Sequence, residues 1–138
     1  MKQAEFSLIK YQFTNVELNL ENLNEKNDLA LELKPKGTFF SDKSDYELIF
    51  DFAASTFRND EKNEVVHVVC KAKFHFNNVY AFSDIPEYFY ANSIAIMFPY
   101  VRAFISTVTL QANITPIILP TLNLSALRDS LKTNTFVK

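Results

Sequence analysis

The sequence predicts an α+β domain: one four-stranded antiparallel sheet with a long and a short C-terminal helix on one face. Three observations carry this prediction. As far as Asn77 the apolar residues recur with period two, in four runs separated by polar turns. After Pro86 they recur with helical spacing. Between Tyr88 and Leu127 lies a forty-residue stretch with a single charged side chain, Arg102, in a chain of 14 lysines and arginines and 16 aspartates and glutamates. With 138 residues, 48% apolar and 22% charged, the chain is one folded domain, 1–138.

Residues 5–20 read as a first strand whose inward phase shifts. Phe6 and Leu8 share one face, Ile9, Tyr11 and Phe13 take the other, and Val16, Leu18 and Leu20 return to the first. Alternation that changes phase signals bulges, or faces covered at different points. Residues 21–28 form a polar loop. Leu29, Leu31 and Leu33 then alternate with Ala30, Glu32 and Lys34 as a second strand. It should stop near Lys34-Pro35-Lys36-Gly37, because proline cannot donate to a ladder. Ser41 to Asp45 is a turn. The third strand has Tyr46, Leu48, Phe50, Phe52 and Ala54 on one face. A charged hairpin loop, Arg58 to Asn63, leads into the fourth strand, Glu64 to Asn77. There Val66, Val68, Cys70, Ala72, Phe74 and Phe76 form a packed face, and His67, Lys71, Lys73 and His75 a largely wet one.

In the helical region Ile94, Phe98, Val101, Ile105 and Val108 fall at i, i+4, i+7, i+11 and i+14. This stripe is the expected contact between subunits. Pro99 either opens the long helix or kinks it. The helix ends near Ala112-Asn113. Ile114 to Leu122 contains Pro116 and Pro120 and is an extended, apolar loop. Asn123 or Ser125 caps a last helix with Leu124, Leu127 and Leu131 on one side.

The long uncharged stretch does not suit a membrane. Three prolines and residues such as Asn92, Ser93, Ser106, Thr109 and Asn113 interrupt it. It should be buried against protein, and a chain of this size hides only about two-thirds of its unfolded surface. Self-association follows, with the uncovered remainder kept for an apolar ligand.

Composition excludes several functions. Gly37 is the only glycine, so phosphate-cradling and dinucleotide-binding loops are out. The basic residues are scattered and the net charge is −2, which does not suit nucleic acid. The N-terminal residues lack the apolar core of a secretory signal, and the single cysteine, Cys70, suits a reducing compartment, so a cytoplasmic location is expected. No catalytic residues, cofactor or metal site emerge. His67 and His75 lie eight apart on one strand, roughly 26 Å at 3.3 Å per residue, and cannot share an ion. Cys70 has no base beside it, and the paired carboxylates at Asp42/Asp45 and Asp60/Glu61 sit in turns. What remains is the apolar loop Ile114–Leu122. Either a partner subunit covers it, or it forms a groove for extended apolar polypeptide beside helix and sheet.

The residues that carry a family resemblance lie in this region. Ala95-Ile96-Met97-Phe98-Pro99-Tyr100-Val101-Arg102 resembles the Leu-Phe-Pro-Tyr-Ala-Arg signature of the SecB export chaperones. Leu119-Pro120-Thr121-Leu122-Asn123-Leu124-Ser125-Ala126-Leu127 resembles their Pro-Val-Asn-Phe-Asp-Ala-Leu segment, and the order of strands and helices agrees over nearly the whole chain. The resemblance implies a homotetramer, a dimer of dimers with its long helices between two eight-stranded sheets. It also implies an ATP-independent holdase for unfolded precursor polypeptides bound for export. Transferred position by position, its client groove comprises Leu29, Leu31, Leu33, Val68, Cys70 and Ala72 from the sheet. Leu119, Leu122, Leu124, Leu127 and Leu131 join them from the loop and last helix.

The chain departs from the family where carboxylates on the outer sheet face dock the translocation motor. Asn15 and Asn19 stand in place of acids, Lys71 in place of a glutamate, and Thr135-Phe136-Val137-Lys138 is not acidic. Motor binding is therefore not expected. A SecB-like chaperone dedicated to an antitoxin, in a toxin–antitoxin–chaperone system, is the alternative client reading. A structural or regulatory oligomer without a client is the third.

Overall fold

The computed structural model describes residues 5–24, 28–121 and 123–138. The elements are β1 (Phe6–Leu18), β2 (Ala30–Phe40), β3 (Asp45–Arg58), β4 (Glu61–Phe76), α1 (Glu87–Gln111), α2 (Leu124–Thr133) and β5 (Thr135–Val137). Single 3-10 turns occur at Leu20–Asn22 and Phe82–Asp84. The strand order is β1-β4-β3-β2-β5; β5 runs parallel to β2 and the other neighbours are antiparallel.

The sheet is thus five-stranded and mixed, not four-stranded and antiparallel as the sequence suggested. The added strand follows from the path of the chain. Helix α2 brings it back beside β2, whose outer edge still offers unpaired backbone groups. The N–H of Gly37 donates to Asn134 C=O (3.1 Å), and the N–H of Lys138 donates to Phe39 C=O (2.8 Å). A strand of three residues is too short to show periodicity.

The phase shifts of β1 are resolved by two irregularities, between Leu8 and Lys10 and between Phe13 and Asn15. Each adds one residue, so Phe6, Leu8, Tyr11, Phe13, Val16 and Leu18 pair with the inward residues Phe76, Phe74, Ala72, Cys70, Val68 and Val66 of β4. Ile9, the extra residue at the first irregularity, is 54% exposed. β2 does not stop at Pro35 but continues to Phe40. Gly37 points its N–H away from β3, and Pro35, two residues earlier, presents its nitrogen to the same outer side, where no ladder bond is lost. Gly37 itself is required by packing: a Cβ there would lie 1.9 Å from the hydroxyl oxygen of Tyr46. The β3–β4 hairpin turns on Asn59 and Asp60, with φ of 52° and 66°, residue types that tolerate the left-handed region.

The core lies between the inner sheet face and α1. Tyr46, Leu48, Phe50, Phe52 and Ala54 of β3 and Val66, Val68, Cys70, Ala72, Phe74 and Phe76 of β4 are no more than 1% exposed. Phe89, in the first turn of α1, sits 4.7 to 5.5 Å from Phe6, Tyr46, Phe74 and Phe76, each pair edge to face. Further along, Phe104 stacks on Phe13 at 3.8 Å and Tyr100 lies 4.7 Å from Tyr11. Pro99 lies inside α1 on its exposed side, where water can serve the carbonyl left by its missing N–H.

The stripe expected to meet a partner subunit is largely covered within this chain. Ile94, Val101 and Ile105 are no more than 1% exposed within the subunit, and Phe98 and Val108 are half-buried. They seat α1 on its own sheet. A second stripe with the same spacing, Ile96, Tyr100, Ala103, Thr107 and Leu110, is exposed, Ile96 and Leu110 by 39% and 58%, while Tyr100, 45% exposed, keeps its ring against Tyr11 of β1. A helix that is apolar all round offers no periodic signal for which side meets the sheet.

Candidate functional site

The end of α1 sets the geometry of the apolar loop. Asn113 adopts a left-handed conformation (φ 64°), its N–H donates to Leu110 C=O (3.0 Å), and the N–H of Ile114 donates to Thr109 C=O (3.3 Å). This pair of reversed bonds is a Schellman ending, and it sends the chain back along the helix. Two helix hydroxyls then hold the returning chain. Ser106 donates to Ile117 C=O (3.0 Å), and Thr109 accepts from Ile117 N–H (2.9 Å). They satisfy the backbone groups that an apolar loop without a ladder would otherwise strand. Ile117 and Leu119 therefore tuck inward, 7% and 4% exposed, while Ile118 between them is 64% exposed.

The loop faces the start of β2 across an open apolar groove of about 550 Å³. One wall is Leu23, Leu29 and Leu31; the other is Asn113 through Ile117. Leu31 is 37% exposed and presents its side chain to solvent at the groove. Beyond the loop, Asn123 caps α2 by accepting from the N–H of Ala126 (3.2 Å), and Lys132 near the end of α2 pairs with Glu87 at the start of α1.

The expected groove residues divide into groups. Leu29 and Leu31 line the groove. Leu33 and Leu127 are half-buried against the core, and Leu124 is 39% exposed on α2. Val68, Cys70 and Ala72 lie beneath α1, at most 1% exposed; Leu119 and Leu131 are also core, at 4% and 0%. These five face the interior rather than the groove, the three on β4 because its inner face is covered by α1. Leu122 lies outside the described residues. Leu23 was missed, since a lone apolar residue in a polar loop gives no period.

No nucleophile or acid–base pair forms around this groove among the described residues. Burial pushes the Cys70 thiol up to about 11, so it stays protonated and acts as a small hydrophobe. The two histidines are separate, His67 bonded to Asp51 and His75 to Asp45, each at 2.7 Å. On the outer sheet face Lys10, Lys71 and Lys73 gather beside Asp45 and Glu47, so the charge there is mixed.

The sequence pattern of the family described as preprotein translocase subunit SecB matches residues 10–134. The chain belongs to the SecB family. Among solved structures it is similar to the SecB-like chaperone Rv1957 of Mycobacterium tuberculosis, in complex with a ChAD peptide from the HigA1 antitoxin. That match has a TM-score of 0.66 at 12% identity, over 86% of this chain and 91% of that one, and shows the shared fold. An uncharacterized protein of Methanocaldococcus jannaschii is 44% identical over 52 residues, 38% of this chain and 34% of that protein. The matched segment thus spans about a third of that relative's length. The α+β fold with a sheet and C-terminal helices is SecB-like, and β5 lies at one edge of this chain's sheet.

Proposed function

We propose that this SecB-family protein is an ATP-independent holdase that keeps polypeptide unfolded in the apolar groove between β2 and the loop after α1. The observation that carries the reading is the groove itself: Leu23, Leu29 and Leu31 face Ile114, Pro116 and Ile117 across an open, uncharged channel. An extended chain gains apolar contact there without needing a particular sequence. Several such grooves in one oligomer bind one client by multivalency, so weak individual anchors suffice. The outer stripe of α1 gives the assembly its contact. By length and hydropathy α1 could pass for a membrane-spanning helix. With one face closed by its own sheet, its other face is best covered by a second copy, in a dimer of dimers. The protein works in the cytoplasm, on clients rather than on substrates it transforms.

Two client classes fit. The family description favours preproteins. The likeness to a SecB-like chaperone bound to an antitoxin peptide favours a dedicated antitoxin client. The exposed Lys71, where the resemblance expects a glutamate, also weakens the first, because a basic motor segment gains less from a face of mixed charge than from an acidic one. The test is suppression of aggregation of a chemically unfolded protein without nucleotide. Wild-type protein should protect, and a Leu31→Asp, Ile114→Asp variant should not, with its oligomer intact. Equal protection by that variant removes the groove from the function. Protection of an antitoxin segment alone selects the dedicated role, and protection of nothing leaves an oligomer without a client.

A further inference from the structure

We propose that a first-row divalent metal ion of the zinc class binds on the outer face of the sheet, held by the Nδ1 atom of His67 and the carboxylates of Glu17 and Glu64. The three residues are brought together by pairing and by a bulge. Glu17 on β1 is directly opposite His67 on β4. Glu64 is three residues before His67, which in a regular strand would put it on the other face. The β3–β4 register shifts between Ala54 and Ser55, so that Ala54 pairs with Val66 and Ser55 with Glu64. Val65 is the extra residue, and both it and Val66 turn inward. The bulge re-aims Glu64 onto the face of His67.

The imidazole is already oriented as a ligand. Its Nε2 lies 2.7 Å from Asp51 Oδ1, which fixes the N–H on that side. Nδ1 is then left with its lone pair, 3.8 Å from a carboxylate oxygen of Glu17 and 3.8 Å from one of Glu64. A carboxylate behind the imidazole is the usual support of a metal-bound histidine. The three ligand atoms all lie within 4.8 Å of one another. Ligands about 2.1 Å from an ion at tetrahedral angles are roughly 3.4 Å apart, so small rotations of two exposed glutamates complete the set.

Charge points the same way. Three carboxylates surround one imidazole, and a proton on the ring would offset only one of them. Lys62 borders the site, but its ammonium is drawn to Glu32 at 3.1 Å. A hollow of about 290 Å³, with Asn19 and Asn63 on its rim, leaves room for the water ligands of an open site. The imidazole donor favours zinc-class ions over magnesium or calcium.

The ion would join edge strand β1 to β4 where the chain leaves for the groove. Asn19 N–H donates to Val65 C=O (2.8 Å) and the Asn22 side chain donates to Glu64 C=O (2.7 Å), one residue before Leu23. The ion thus pins the turn that leads to Leu23 of the groove wall.

The test is calorimetric titration of the metal-free 138-residue protein with zinc chloride. We expect one site per subunit with micromolar affinity, kept in His75→Gln and lost in His67→Gln. Glu17→Gln, at a position 64% exposed and remote from the core, should weaken binding without affecting the fold. Asp51→Asn should weaken it about tenfold or more. No saturable binding to wild-type protein, or binding unchanged in both His67→Gln and Glu17→Gln, overturns the proposal. Neither result depends on client protection, so the holdase reading stands or falls separately.

Discussion

Replacing Thr109 with valine removes one oxygen and leaves the shape of the side chain. Thr109 is fully buried, and its hydroxyl is the acceptor for the N–H of Ile117 at 2.9 Å. It also donates to Ile105 C=O at 2.8 Å, but that carbonyl keeps its helical bond when the hydroxyl is lost. Both side chains are β-branched, so helix propensity barely changes. The deficit is therefore the Ile117 N–H, in a residue only 7% exposed that water reaches poorly. A buried donor left unpaired costs about 1–3 kcal/mol, offset in part by burying a methyl group in place of a hydroxyl. A loss of about 1–2 kcal/mol is expected in urea denaturation, and 5- to 30-fold faster amide exchange at Ile117. Ser106→Ala removes the other anchor, yet Ile117 C=O adjoins the exposed Ile118 and can turn to water, so about 0.5 kcal/mol is expected. Because the loop is a wall of the groove, Thr109→Val should also weaken protection of an unfolded client more than Ser106→Ala does. A Thr109→Val protein within about 0.3 kcal/mol of wild type, with unchanged exchange at Ile117, would show that Ile117 and Leu119 hold the loop by packing alone.

Three further outcomes follow from the same structure. Gly37→Ala places a methyl group against the fully buried Tyr46, whose hydroxyl is tied to Thr135 at 2.6 Å, and should lower stability by about 1–3 kcal/mol and loosen β5; a urea midpoint equal to wild type would contradict the packing. If the exposed stripe of α1 joins subunits, Ile96→Lys together with Leu110→Lys should give smaller species in light scattering while far-ultraviolet dichroism is kept, and an unchanged mass would place any subunit contact elsewhere. Burial alone would raise the Asp45 carboxyl, but hydrogen bonds from His75 and Lys73 outweigh it and hold it below the usual carboxylate range. Its contribution is thus present above about pH 4, the ordinary value for an unfolded aspartate, and disappears as pH falls through the lower folded value. Asp45→Asn should be less stable than wild type at pH 7, and the gap should close in strong acid; a gap independent of pH would refute the pairing.

Much of the fold was legible because one face of each central strand is fully buried. Tyr46 through Ala54 and Val66 through Phe76 alternate without error, and both faces fell where the period put them. In β1 the phase changes at Ile9 and after Phe13 were visible as irregularities, and the bulges account for them. The strand β5 was not legible, since Thr135–Val137 exists only because the edge of β2 is within reach. Nor was the orientation of α1, where two apolar stripes compete on one helix and only the sheet decides between them. At the candidate site the family resemblance named Leu29 and Leu31, which line the groove, but equally Val68, Cys70 and Ala72, which share their alternation and are covered by the helix. The Glu17–Glu64–His67 group leaves no local trace: one member comes from another strand, and another reaches the face only through a bulge.

The most direct test of the groove is methyl NMR of the protein with an extended, uncharged apolar peptide. Binding in the groove predicts shifts at the methyl groups of Leu23, Leu31, Ile114 and Ile117, with Ile49 and Val69 on the outer sheet face unmoved. Shifts confined to the outer face, or none at saturating peptide, would contradict it.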